Sequence, residues 1–169
     1  MRRPTATLSG VIRVTKLLEV IVFQGHPLVR ALHPSTMELT KERELTERGD
    51  CVIGVSADKA ACDLSSAVKD ALRTAGVSVT FTIRVGGEHF EFTARGSRGL
   101  LLDDRRDMVI RKSQFISPRT LAIRAEAAAR DIPRALVDRL REGERGLLTL
   151  QVNFALEGTR RGRRRCRLS

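Results

Sequence analysis

The sequence predicts an α+β fold built from two pseudo-symmetric β-β-β-α units with mainly antiparallel strands, with closure into a barrel as the alternative. Three observations lead there. Ala57-Asp58-Lys59-Ala60-Ala61-Cys62-Asp63-Leu64 returns in the second half as Ala125-Glu126-Ala127-Ala128-Ala129-Arg130-Asp131-Ile132, and Met37–Lys41 returns as Met108–Lys112. Self-similarity at a nearly constant spacing marks repeated supersecondary units. Short β-branched and apolar runs outnumber helical stripes, leaving one main helix per unit. One hairpin, finally, is legible down to its register. The repeats cover about 17–85 and 88–156 of a single domain, 1–157, and 158–169 reads as a disordered Arg-rich tail.

Residues 1–10 form a weakly paired lead-in, and Leu17–Phe23 is the first strand. Gly25-His26-Pro27 ends it, and His33-Pro34 is a second break, because proline lacks an amide and restricts the residue before it. Thr36–Thr40 is a strand by β-branching and alternation. Glu47–Asp50 is a turn before the strand Cys51–Val55. The Gly49-Asp50 turn is the hint of a barrel; the second repeat has Ser117-Pro118 in that region. Asp63 is the expected cap of a helix whose Leu64, Val68 and Leu72 share one face. Asp131 caps its counterpart, where Pro133 is tolerated in the first turn and Leu136 and Leu140 continue the stripe. Segments 57–61 and 125–129 are short helical turns, or the start of one bent helix.

Between the helices, Val77, Val79, Phe81, Ile83 and Val85 alternate with polar residues up to Gly86-Gly87, a two-residue turn that supplies positive φ. Folding back sets Ile83 against Phe90, Phe81 against Phe92, Thr82 against Glu91 and Arg84 against His89. Both faces agree in one register. The strands Met108–Arg111, Thr120–Ile123 and Leu147–Leu156 complete the second unit.

The apolar fraction of 41% is enough for a core, but six Phe with no Trp or Tyr make it aliphatic and leave few platforms for base stacking. The net charge of +11 is concentrated at the ends: without the six arginines after Gly158 the remainder carries about +5. Arg160, Arg161, Arg163, Arg164, Arg165 and Arg167 would bind phosphate through charge without reading sequence. Arg95, Arg98, Arg105, Arg106, Arg111, Lys112 and Arg119 form a second basic region, interrupted by Asp103, Asp104 and Asp107 and better read as solvated salt-bridge partners. Cys51, Cys62 and Cys166 have neither zinc-knuckle nor redox spacing, which suits a reducing compartment, the cytoplasm. No signal peptide and no membrane span are expected.

The chemistry-bearing residues fall in the first repeat. His26, His33, Cys51, Asp58 and Lys59 have no like residue in the second, apart from the acidic Glu126. His26-Pro27 and His33-Pro34 share a partly rigid loop. With Cys51 and Asp58 they make a conceivable zinc set, though the spacing matches no zinc motif and loop-stabilising histidines are the plainer reading. Asp58-Lys59 after a strand end could bind phosphate or act as acid and base; capping by Asp58 beside a solvated lysine is the plainer reading. Arg48-Gly49-Asp50 is a turn. No Walker, nucleophile-elbow, HExxH or dinucleotide pattern is present, and no cofactor is implied.

His33-Pro34-Ser35-Thr36, Leu39-Thr40-Lys41, Leu45-Thr46, the long stretch Arg48–Ala60, Ile83–Gly87 and Thr120–Ala125, together with His26-Pro27, resemble a small archaeal family of uncharacterised proteins known as a domain of unknown function. The resemblance spans roughly 17–156, and Gly49–Ala60 is its most specific part. It implies an archaeal intracellular protein of one domain, with characteristic polar residues mainly in the first repeat, and it transfers no catalytic role. The tail lies outside it. Charge and the lack of enzyme signatures favour nucleic-acid binding, RNA first. The alternatives are a small enzyme using His26, His33, Asp58 and Lys59 on an anionic or phosphorylated metabolite, and a structural subunit of an intracellular complex. A tight cluster of the five first-repeat residues beside a pocket would favour the enzyme; scattered positions on a positive surface would favour nucleic acid.

Overall fold

The computed structural model describes residues 13–156. The expected lead-in 1–10 and the Arg-rich tail lie outside them. The elements run β1 (Arg13–Gln24), β2 (Thr36–Thr40), β3 (Val52–Gly54), α1 (Ser66–Leu72), β4 (Ser78–Val85), β5 (Glu88–Arg95), β6 (Asp107–Arg111), β7 (Thr120–Ala122), α2 (Arg134–Arg141) and β8 (Arg145–Leu156). They build two four-stranded sheets, ordered β1-β8-β4-β5 and β3-β2-β6-β7. The first is antiparallel throughout. In the second, the central pair β2–β6 is antiparallel and the outer pairs β2–β3 and β6–β7 are parallel.

The expected hairpin forms in the expected register, with Phe81 opposite Phe92, Ile83 opposite Phe90 and Arg84 opposite His89. Gly86 takes the positive φ of its turn, 58°. Apolar alternation on β4 buries Val79, Phe81, Ile83 and Val85 on one side, and Leu148, Leu150 and Val152 of β8 join them. Met37, Leu39, Met108 and Ile110 face them from the second sheet, close enough that Leu148 borders the same small void as Met37, Met108 and Leu121. α1 packs on β1 and β8, and α2 on β3, β4 and β5. Leu64, Val68 and Leu72, and Leu136 and Leu140, are the buried helix stripes, as the spacing predicts.

Three local expectations are corrected. The helix before Leu64 is a separate 3-10 turn, Ala61–Asp63, with a second at Ala129–Asp131. Asp63 and Asp131 cap those turns and not the helices: each accepts the amide three residues before it, Ala60 and Ala128, at 2.8 Å. The N-cap of α1 is Ser65, whose hydroxyl accepts from Val68, and that of α2 is Pro133. In the first half Asp63 and Ser65, two residues apart, are competing caps that spacing alone does not rank; in the second, Pro133 starts α2 with no side-chain cap.

The sheets do not close into a barrel. Beyond their packed faces, backbone pairing between them is limited among the described residues to isolated bridges, Gln24 to Val55 and Arg95 to Ile123. Immediately beyond each bridge the chain enters a left-handed residue, Ser56 at φ 49° and Arg124 at φ 51°, and turns away. A carboxylate then occupies the edge strand. Asp58 donates its amide to the Val22 carbonyl and accepts from the Val22 amide at 2.9 Å. Glu126 does the same to Thr93, at 2.9 Å from its amide and 3.3 Å to its carboxylate. The edge groups of Val22 and Thr93 are thereby satisfied by a side chain, and the pairing begun at each bridge is not extended past them.

Phe23 fixes the spacing on the first side of the molecule. A Cβ on Gly54 would lie 2.1 Å from its ring, and one on Gly146 would lie 2.3 Å from it. The slot therefore admits only glycine from β3 and β8. The residues that precede the second bridge, Ala94 and Ala122, stand where Phe23 and Gly54 precede the first, and both are small and buried. Gly54→Ala is expected to destabilise the protein by about 1–3 kcal/mol through overpacking, read as a lower urea midpoint at unchanged slope; Phe23→Leu in the same chain should recover part of the loss.

Candidate functional site

The five first-repeat residues do not converge on one another through any hydrogen bond or ion pair among the described residues. His26 and His33 perform the same local task. The Leu28 amide donates to His26 Nδ1 at 3.0 Å, and the amides of Ser35 and Thr36 donate to His33 Nδ1 at 3.2 and 3.1 Å. Each imidazole thus braces the turn over the proline that follows it. Asp58 holds the β1 edge. Lys59 is not a free solvated amine: it donates to Glu19 and to the Val20 carbonyl, both at 3.0 Å. Glu19 is only 8% exposed and also accepts from the Ser65 amide. Lys59 therefore neutralises a buried carboxylate that ties β1 to the start of α1.

Cys51 belongs to a different network, on the second sheet. Its thiol donates to Glu38 Oε2 at 3.3 Å, and Arg119 donates to Glu38 Oε1 at 3.2 Å. The same guanidinium lies 3.7 Å from Asp107, which Arg106 also contacts at 3.3 Å. Thr36 links His33 to this group through a 2.9 Å contact between its hydroxyl and Nδ1. Burial raises the Glu38 pKa, against the pull of Arg119. Burial, then the charge and hydrogen bond of Glu38, push the Cys51 thiol up to about 11. A thiol in that state is a poor nucleophile and a poor metal ligand at neutral pH, since both roles need the thiolate. No group of three or more His, Cys, Asp or Glu suited to a metal ion occurs among the described residues.

A small groove of about 300 Å³ borders the first-repeat loop at Pro27, Leu28 and Arg30, but the more voluminous concavity is lined mostly by the second half, away from the five first-repeat residues. A groove of about 650 Å³ is lined by Arg95, Arg98 and Arg124, with Ser97, Gln114 and Glu126 among its other walls. Its construction follows from the chain. β5 ends at Arg95, held by the bridge to Ile123 with N–O distances of 2.8 and 2.9 Å. Gly96 then passes beneath the end of α1, so close that a Cβ would lie 2.2 Å from the Leu72 carbonyl oxygen. The Ser97 amide donates to that carbonyl at 2.9 Å. Across the groove Arg124 adopts its left-handed turn and donates its amide to Ser113 at 3.1 Å, setting the loop that carries Gln114. Left-handed Ser56 shows that this conformation belongs to the turn; the arginine is what differs.

Arg95, Arg98 and Arg124 are exposed, and none makes a salt bridge among the described residues. Arg95 makes one long contact, 3.5 Å to the Gly76 carbonyl. The groove's carboxylate, Glu126, is engaged with the Thr93 amide. The matching positions of the first half hold Gln24, Pro27 and Ser56, so the charge is peculiar to the second half. The basic region seen in the sequence accordingly divides. Arg106, Lys112 and Arg119 are salt-bridge partners as expected. Arg95 and Arg98 are not, and they join Arg124, which the sequence did not single out because it lies far along the chain from Arg98. The signal that could have found it was the repeat itself, which aligns Arg124 with the residue after the first bridge.

A family model described as a domain of unknown function (DUF371) matches residues 21–153. An uncharacterized protein of Methanocaldococcus jannaschii is 43% identical over 125 residues, covering 74% of this chain and 92% of that one. No helix among the described residues is long and apolar enough to cross a membrane.

The Cys51 network carries its own test. With the thiol pKa near 11, alkylation by iodoacetamide mapped by mass spectrometry should modify Cys62 well before Cys51 at pH 8, and the Cys51 rate should climb steeply toward pH 11. Glu38→Gln removes a charge that opposes ionisation, so it should accelerate Cys51 labelling at fixed pH. An unchanged rate would place the cause in burial alone.

Proposed function

The chain belongs to the DUF371 family, and we propose that it binds the phosphate backbone of a nucleic acid, RNA first, in the groove between Arg95, Arg98 and Arg124. The observation that carries this reading is three exposed guanidiniums around one concavity with no carboxylate bonded to them among the described residues. An arginine without an acidic partner keeps its planar donor fork for phosphate oxygens. The groove is open and polar, which suits a backbone laid along it better than a small metabolite enclosed in it. The catalytic alternative through His26, His33, Asp58 and Lys59 finds no such support, since their polar atoms serve turns, a strand edge and a buried ion pair. The six tail arginines would add sequence-independent attraction.

The same proposal includes the plan of the chain: one domain of two pseudo-symmetric units, about 17–85 and 88–156. Three correspondences support it. The elements follow in the same order in each half. Left-handed Ala31 and Ser56 are matched by Leu102 and Arg124. The Lys41–Asp63 ion pair is matched by Lys112–Asp131. A reducing compartment such as the cytoplasm suits the free thiols of Cys51 and Cys62.

The test separates groove from tail in the full-length chain. Affinity for a single-stranded RNA is measured against salt for the natural protein, for the triple variant R95Q/R98Q/R124Q, and for a chain whose six tail arginines are glutamine. Losing three phosphate contacts should flatten the log–log salt slope by about 2. A triple variant with an unaltered slope, while the tail variant loses binding, would assign all attraction to the tail and end the groove reading.

A further inference from the structure

We infer that the ligand of the groove is single-stranded and that one of its unpaired bases stacks on Phe115. The inference rests on the groove reading above and names the ligand class more narrowly. Of the six phenylalanines, Phe23, Phe81 and Phe92 are buried, and Phe90 and Phe154 pack against the core. Phe115 alone is presented, at 63% exposure. An exposed aromatic ring by itself is ordinary on a protein surface. Its placement and its support are what make it a platform.

Phe115 directly follows Gln114, which lines the groove, and its loop is pinned there from two sides. The Arg124 amide donates to Ser113 at 3.1 Å, and the Phe115 amide donates to the Ser113 hydroxyl at 3.3 Å. On the opposite rim, a Cβ on Gly99 would lie 3.2 Å from Ile116, so the loop also abuts the segment that carries Arg98. The ring is backed by a guanidinium: the central carbon of Arg111 stands 5.0 Å from the ring centroid. Arg111 is itself held, donating to the Thr120 hydroxyl at 3.0 Å and to the Ser117 hydroxyl at 3.2 Å. One face of the ring is thus supported by a fixed cation, and the ring's chain neighbour, Gln114, lines the groove that holds Arg95, Arg98 and Arg124.

Phosphate-binding arginines next to a braced aromatic face are the two elements of single-strand recognition: charge follows the backbone, and stacking holds a base of any identity. A duplex satisfies only the first, because its bases are already stacked on one another. Stacking and phosphate contact accept any base, so the expected preference is for strandedness and not for sequence.

Isothermal titration calorimetry of the full chain with decauridylate, a duplex RNA of the same length and inorganic polyphosphate tests this. Phe115→Ala should weaken decauridylate binding by roughly ten-fold, leave polyphosphate binding unchanged and leave the melting temperature intact, because the ring is exposed. Phe115→Trp should retain the natural affinity. Equal weakening of decauridylate and polyphosphate, no weakening of decauridylate, or a natural preference for the duplex would each overturn the inference. If Phe115→Ala is silent while R95Q/R98Q/R124Q abolishes binding of both polyanions, the groove reading stands and the stacking reading falls. If neither polyanion binds the natural protein, both fall.

Discussion

Two backbone bridges, Gln24 to Val55 and Arg95 to Ile123, determine how the sheets meet and where the surface opens. Each bridge is followed by a left-handed residue and then by a carboxylate that satisfies the neighbouring edge strand. The arrangement has an energetic logic. A free strand edge exposes unpaired amides and carbonyls, and a side-chain carboxylate that takes one of those amides blocks further pairing without extending the sheet. Because pairing stops there, the loops after β5 and β7 diverge, and the space between them is the groove. Closing the sheets into a barrel would have filled it.

The halves divide volume and charge differently around this common frame. In the first half a large ring, Phe23, occupies the interior beside the bridge, and the opposing strands yield to glycine at 54 and 146. Beside the second bridge the residues at the places of Phe23 and Gly54 are both alanine. The polar residues diverge too. Two carboxylates of the first half are buried and answered: Glu19 by Lys59, and Glu38 by Cys51 and by Arg119 of the second half. Buried ion pairs of this kind are costly to break, because the surviving partner is left without compensation.

Several arginines of the second half lack a salt bridge among the described residues, but Arg95, Arg98 and Arg124 are the ones that share a concavity. Arg106, Arg119 and Arg139 have carboxylate partners, and the exposed pairs Arg106–Glu42 and Arg139–Glu144 contribute only about 0–1 kcal/mol each. Arg95, Arg98 and Arg124 have none among the described residues, and their mutual proximity is unfavourable in the absence of an anion. Stability does not explain three like charges gathered around one concavity. An anionic ligand does, since it converts that repulsion into attraction.

Local sequence determined much of the architecture. Alternation on both strands fixed the 78–95 hairpin to the residue, because only one register buries Phe81, Ile83 and Phe92 while keeping Thr82 and Glu91 outside. Helical stripes marked α1 and α2, and the two self-similar stretches located matching strands and turns. What the sequence could not rank was competition between near neighbours: Asp63 or Ser65 as the cap, a bridge or a full strand pairing after Val55. The site was less legible for the same reason. Rarity drew attention to His26, His33, Asp58 and Lys59, whose polar atoms are consumed by turns, an edge and a buried acid. Only tertiary structure decides which charged residues find partners, because partnership depends on distances between segments far apart in the chain. It brought Arg124 and the Gln114 loop to the groove of Arg95 and Arg98, and it left those arginines without a carboxylate among the described residues.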